Sequence, residues 1–222
     1  MLDSHVSISV FIADDHAIVR DGLRLLLESQ TDMRVVGDAA DGRQTVNQVQ
    51  QLCPDVVVMD IAMPELNGIE ATRQIRDVCP STQVVILSMY ATTEHIFQAF
   101  QSGAIGYLLK ESAAVEVVNA VRAVHSGKRY FCKKIDNAMI DNYIYNRQVS
   151  PLKSPLESLS PREREVLQLV VEGKSSAEIA SILYLSPKTV ETYRSRLMQK
   201  LSINDIPGLV KFAIQHGLTK PE

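Results

Sequence analysis

Five short runs rich in β-branched residues recur in the first 125 residues: SISVFIA (7–13), RVVGDA (34–39), VVVM (56–59), QVVILSM (83–89) and AIGYLL (104–109). Each has the length of a strand, and the stretches between them place apolar residues at helical spacing. Val19, Leu23, Leu26 and Leu27 make one such face, Val46, Val49 and Leu52 a second, Ile69, Thr72 and Ile75 a third, and Val117, Val121 and Val124 a fourth. A strand that is apolar at nearly every position has to be buried on both sides. Alternation with helices then leaves a parallel sheet covered by helices on both faces. The expected fold of this half is doubly wound α/β, in which ligands gather at the carboxyl ends of the strands.

The strand ends carry the chemistry. Asp14 and Asp15 follow the first strand and Asp60 ends the third; in the flavodoxin-like strand order 2-1-3-4-5 these strands are neighbours, so the three carboxylates converge. Carboxylates that close repel one another without a cation, and oxygen-only ligands with room for water suit Mg²⁺. Ser88 lies late in the fourth strand and Lys110 ends the fifth, at the same edge. A carboxylate nucleophile, a divalent cation, a hydroxyl and an ammonium are the parts needed to accept a phosphoryl group, with Asp60 attacking in line and Lys110 and Mg²⁺ stabilising the equatorial oxygens. Taken singly, Asp15 reads as a helix N-cap, Ser88 as a satisfied strand-end hydroxyl and Lys110 as a surface lysine; their joint placement at one edge favours the site.

In order along the chain, ADDH, VVVMDIAMPELNG, ILS and GYLLK resemble the motifs of a bacterial two-component response-regulator receiver domain over residues 6 to about 126. The resemblance implies that Asp60 is the phosphoacceptor, that Asp14, Asp15, Asp60 and the backbone carbonyl of Ala62 hold the metal, and that a sensor histidine kinase is the donor. It also implies that Tyr107 turns inward as Ser88 shifts toward the phosphoryl group.

Beyond residue 125 the strand signal fades. A modest helical pattern over 134–145 (Ile135, Met139, Ile140, Tyr143, Ile144) reads as a tether, and Pro151, Pro155 and Pro161 among serines mark a linker. The expected division is 1–126, 127–158 and 159–222. The last part reads as four short helices. Ser160-Pro161-Arg162-Glu163 and Ser175-Ser176-Ala177-Glu178 are capping boxes, Ser186-Pro187 opens a third helix, and Leu209, Phe212 and Ala213 mark a fourth. This segment resembles the LuxR-type helix-turn-helix, and with the receiver it makes a regulator of the NarL/FixJ type. On the third of these helices Val190, Leu197 and Leu201 point inward. Lys188, Thr189, Glu191, Thr192, Ser195, Arg196, Gln199 and Lys200 form or flank the opposite face, which is expected to enter the major groove of promoter DNA. The resemblance places homodimerisation on the last helix, Pro207 to His216, and allows RNA polymerase as a further partner.

Charge agrees with two functions in one chain. Residues 1–125 carry 8 Lys+Arg against 16 Asp+Glu, and 126–222 carry 15 against 10. Residues 160–222 hold only 9 basic against 7 acidic residues, a weak electrostatic footprint that calls for two copies on adjacent half-sites. No apolar run reaches the roughly 20 residues of a bilayer span and the start lacks a signal peptide's basic region, so the expected address is the cytoplasm, with no membrane partner. Cys53, Cys79 and Cys132 are widely spaced without a CxxC pair, and reduced, mostly buried thiols are expected. The functional expectation is a transcription regulator switched by phosphorylation. The rivals are a DNA-binding regulator indifferent to phosphorylation and a phosphohydrolase with Asp60 as nucleophile; against the latter, Ala62 stands where a leaving-group acid would be.

Overall fold

In the computed structural model, which describes residues 7–135 and 155–219, the first half alternates strand and helix. The elements are β1 (Ile8–Ala13), α1 (Ala17–Glu28), β2 (Met33–Ala39), α2 (Gly42–Leu52), β3 (Val56–Asp60), α3 (Gly68–Val78), β4 (Gln83–Ser88), α4 (Thr93–Ser102), β5 (Gly106–Leu109), α5 (Ala113–His125) and β6 (Tyr130–Phe131). The sheet order is β2-β1-β3-β4-β5-β6, all parallel. The flavodoxin-like order 2-1-3-4-5 is as expected, with one strand added. Tyr130 and Phe131 pair with Gly106 and Tyr107, and two residues are too few for any periodicity to reveal.

The strand cores explain the layering. Val56, Val57, Val58 and Met59 are all fully buried, and each such side chain contributes roughly 1.5–3 kcal/mol of burial. Leu23 and Leu27 of α1, Val46 and Val49 of α2, and Val117, Val121 and Val124 of α5 cover the sheet. Leu52 is the exception to its expected face, being exposed at the end of α2.

Cysteine chemistry departs from expectation. Cys53 and Cys79 are bonded to each other, leaving Cys132 as the free, buried thiol. The reason is geometric: α2 and α3 pack together, and each ends on its cysteine, which is followed by proline. The equivalent ends of two packed helices are thereby brought together across 26 residues of sequence.

The second half contains α6 (Pro161–Val171), α7 (Ser176–Leu183), α8 (Pro187–Leu201) and α9 (Ile206–Gln215) around its own core, which includes Val166, Leu169, Ile179, Leu183, Val190, Leu197 and Leu209. Both capping boxes form, on Ser160/Glu163 and Ser175/Glu178. The tether helix expected over 134–145 lies outside the described residues apart from its first two, Lys134 and Ile135, which form a turn; most of the expected linker also lies outside them. Among the described residues no helix is long and apolar enough to cross a membrane.

Candidate functional site

At the carboxyl edge of the sheet, β1 delivers Asp14 and Asp15 and β3 delivers Asp60. Asp14 is fully buried and Asp60 is 2% exposed, while Asp15 is half-buried. Ligand atoms of Asp14, Asp15, His16 and Asp60 all lie within 4.8 Å of one another. Lys110, the residue that follows β5, spans the gap: its Nζ is 2.7 Å from Asp14 Oδ2 and 2.8 Å from Asp60 Oδ2. Burial disfavours the ammonium, but the two carboxylates outweigh that and raise its pKa, so Lys110 remains charged at neutral pH.

The carboxylates fit a hard divalent cation. All three offer oxygen, and Asp14 Oδ2 is buried with an ion-pair contact but no directed hydrogen bond, which leaves a lone pair for a metal. His16 was not singled out by its residue type. Its Nδ1 stands 2.7 Å from Asp15 Oδ1 and 3.2 Å from Asp14 Oδ1, and its ring is half-exposed. The signal was its place in ADDH, one residue past the acidic pair.

The turn after Asp60 is tight. Ile61 O accepts from Met63 N at 3.2 Å and from Gly68 N at 2.8 Å, and Glu65 adopts a left-handed conformation with φ 63°. A Cβ on Gly68 would collide with the Asp60 carbonyl, so glycine is required by close approach. Asn67 Oδ1 caps α3, accepting from Ile69 N and Glu70 N. Ser88 is buried at the end of β4, where its Oγ accepts from Tyr90 N at 3.0 Å. Tyr107, expected to turn inward only as Ser88 shifts, is already fully buried while Ser88 still holds Tyr90 N, because its hydroxyl finds an acceptor there, donating to Tyr90 O at 2.7 Å; burial raises its pKa and keeps it a neutral donor. Ser88 and Tyr107 therefore hold the same residue, one by its N–H and one by its carbonyl.

The recognition-helix face is open. Lys188, Glu191, Thr192, Ser195, Arg196, Gln199 and Lys200 are exposed and Thr189 is half-buried, while Val190 and Leu197 are buried and Leu201 packs beside them. Four of these have partners within the protein: Glu191 accepts from Ser176 Oγ, Lys200 donates to Glu163 at 2.7 Å, Thr192 Oγ1 donates to Lys188 O at 3.0 Å, and Thr189 Oγ1 lies 2.8 Å from Ser186 Oγ. Glu191 is thus turned toward α7.

The two halves meet at the turn that follows Asp60. Gln168 of α6, fully buried, accepts from Asn67 N at 2.8 Å and Asn67 Nδ2 at 3.0 Å, and donates to Met63 O at 2.9 Å. Glu172 accepts from Glu65 N at 3.1 Å. Around this centre Arg164 pairs with Glu70 at 2.6 Å and Arg43 with Glu165 at 3.0 Å. At the far side Tyr90 stacks on His95 with ring centroids 5.0 Å apart, and His95 lies against Gly217, where a Cβ would strike its Nε2.

Two family models match: the response regulator receiver domain over residues 10–122 and bacterial regulatory proteins of the luxR family over 157–213. The chain is a response regulator. The oxygen regulatory protein NreC of Staphylococcus carnosus strain TM300 is 38% identical over 212 residues, spanning 94% of this chain and 98% of its own. Among solved structures, the response regulator RcsB of Salmonella typhimurium is 27% identical with a TM-score of 0.64, covering 95% of this chain and 98% of that one. A structure of an RcsB–DNA complex matches at 27% identity and a TM-score of 0.57 over the same shares of the two chains.

Membership makes this chain a transcription regulator with a phosphoacceptor receiver domain rather than an enzyme, which sets aside the phosphohydrolase reading. Within this response regulator, the contacts that sequence reasoning missed are those made by Gln168. Its signal was a single amide in the apolar run VLQLVV, at a position whose neighbours Leu167 and Leu169 are both buried.

Proposed function

We propose that this response regulator is phosphorylated on Asp60 in a Mg²⁺-dependent reaction with a sensor histidine kinase, and that phosphorylation governs its binding to promoter DNA. The observation that carries the reading is the convergence of Asp14, Asp15, Asp60 and Lys110 at one edge, adjoining a turn gripped by the DNA-binding half. Asp14, Asp15 and Asp60, with the Ala62 carbonyl, would hold Mg²⁺, which when bound supplies positive charge for the phosphoryl oxygens. Asp60 attacks phosphorus from a rigid, buried strand end, forming a P–O bond as the P–N bond to the kinase histidine breaks and its imidazole leaves, so little orientation is left to chance. Lys110 exchanges its contact with Asp60 for one to the phosphoryl group. Ser88 turns its hydroxyl toward the same oxygens and releases Tyr90 N, and Tyr107, bonded to Tyr90 O, moves with it.

On DNA, Lys188, Thr192, Ser195 and Gln199 contact the duplex, with Thr189 and Arg196 at the flank; Glu191 and Lys200 contribute after leaving their internal partners. The similarity to a response regulator solved as an RcsB–DNA complex supports DNA as the partner of this half. Two copies pair through α9, whose Ile206, Val210 and Ile214 line an open apolar surface. The domains run over 1–126 and 159–222, joined by 127–158, and the protein works in the cytoplasm, with RNA polymerase as a further partner at the promoter.

Acetyl phosphate or phosphoramidate with Mg²⁺ should add one hydroxylamine-sensitive phosphate per chain, absent in Asp60→Ala. A chain that takes up no phosphate sinks the proposal. Equal DNA affinity of treated wild type and Asp60→Ala in gel shifts would favour phosphorylation-independent binding instead.

A further inference from the structure

We infer that Cys53 and Cys79 are a reversible redox site, oxidised by thiol–disulfide exchange with a low-molecular-weight disulfide and reduced again by thiols. Each cysteine is the C-terminal cap of its helix, Cys53 on α2 and Cys79 on α3, and their Cα atoms are 5.9 Å apart. That separation lies in the middle of the range of about 4.4–6.8 Å compatible with a disulfide. Around the bonded pair, Val49 O lies 3.4 Å from Cys79 Sγ and Gln50 O 3.9 Å from Cys53 Sγ, so carbonyl acceptors of the last turn of α2 are close at hand for the thiols that reduction would form.

Access is one-sided. Cys53 is exposed whereas Cys79 is 2% exposed, so an external reagent meets Cys53 first. The remaining thiol, Cys132, is buried beside the far edge strand β6 and does not compete. In a compartment buffered by small thiols, permanent disulfides are rare and those that do form are mostly transient or sensing; an exposed sulfur keeps the bond exchangeable.

The exchange runs in two displacements. The Cys53 thiolate attacks the external disulfide, forming a mixed disulfide and expelling one external thiolate, which takes up the proton. Cys79 then gives up its proton and attacks Cys53 Sγ, expelling the second external thiol. Two cysteine thiols and one external disulfide become one intrachain disulfide and two external thiols, with two electrons passing to the reagent. The bond closes a loop of sequence separation 26 that contains β3, Asp60, the turn held by Gln168 and all of α3. Oxidation thereby cross-links the segment on which both phosphoryl acceptance and docking depend.

The test uses the full chain equilibrated with reduced and oxidised glutathione, quenched with N-ethylmaleimide and mapped by peptide mass spectrometry. After oxidation, denatured protein should take up one alkyl group, on Cys132, and yield a peptide joining Cys53 to Cys79; dithiothreitol should restore three alkylation sites. The oxidised chain should melt roughly 5–10 °C higher, because the cross-link restricts the unfolded chain. Cys79→Ser should stop at the first displacement and accumulate glutathione on Cys53, whereas Cys53→Ser should leave Cys79 unmodified while still accepting phosphate from acetyl phosphate. Three alkylation sites persisting in oxidised glutathione, or a glutathione adduct as the end product in the wild type, would overturn the inference.

Discussion

Lys110 is held between two carboxylates that are almost wholly buried, and replacing it with methionine keeps the aliphatic stem while removing the charge. Breaking a buried ion pair on one side leaves uncompensated charge, so Lys110→Met should lower stability at neutral pH by about 2–4 kcal/mol in denaturant melts. Phosphate uptake should fall at least about tenfold, since a positioned cation at the transferring phosphoryl group is lost. Ala62, two residues beyond Asp60, offers only a methyl group near the phosphoryl position. Ala62→Asp adds a carboxylate able to activate water and should shorten the aspartyl-phosphate lifetime about tenfold, with an unchanged circular dichroism spectrum. A decay rate equal to the wild type's would show the position to be neutral. At this scale the site was legible because each group stands at the end of a strand, where the residue type changes abruptly from apolar to acidic, hydroxyl or ammonium. His16 was not, because its role comes from a reach sideways onto its two preceding neighbours rather than from strand register.

The helices of the DNA-binding half announce their own starts, and Ser160, Ser175 and Ser186 all cap as their side chains allow. β6 and the Cys53–Cys79 bond were hidden for different reasons. A two-residue strand carries no period, and the cysteine pair depends on helix packing that spacing alone does not express, although the repeated Cys-Pro at successive helix ends was the available clue. Within α8 the structure separates residues that sequence placed on one face. Arg196 is exposed with its charge available to phosphate, while Lys200 is bound to Glu163 of α6. Arg196→Ala should therefore weaken binding nearly uniformly across DNA sequences and reduce the salt slope by about 1, measured by fluorescence anisotropy over a salt series. Lys200→Ala should affect DNA binding less and the thermal stability of the helical half more.

Across the whole molecule, control by phosphorylation requires two arrangements of comparable free energy, and the contacts define one of them. α6 grips the turn that follows Asp60, so any rearrangement of that turn on phosphorylation is felt directly by the DNA-binding half. The recognition face of α8 stays open in this arrangement. Docking therefore restrains where the helix-turn-helix can be placed rather than covering the exposed face of α8. Nothing in the overall charge pattern foretold this, because the centre of the contact is a pair of neutral amides, Gln168 and Asn67, buried among apolar residues. Gln168→Ala removes the acceptor for two Asn67 donors and the donor to Met63 O, and each buried group left unsatisfied costs about 1–3 kcal/mol. The docked arrangement should weaken by roughly 2–4 kcal/mol, comparable with the coupling energy of about 1–3 kcal/mol typical between linked sites. In small-angle scattering the unphosphorylated variant should be more extended than wild type, and its DNA affinity should approach that of the phosphorylated protein. A variant with wild-type scattering and wild-type dependence on phosphate would show that the amide contact does not hold the two halves together.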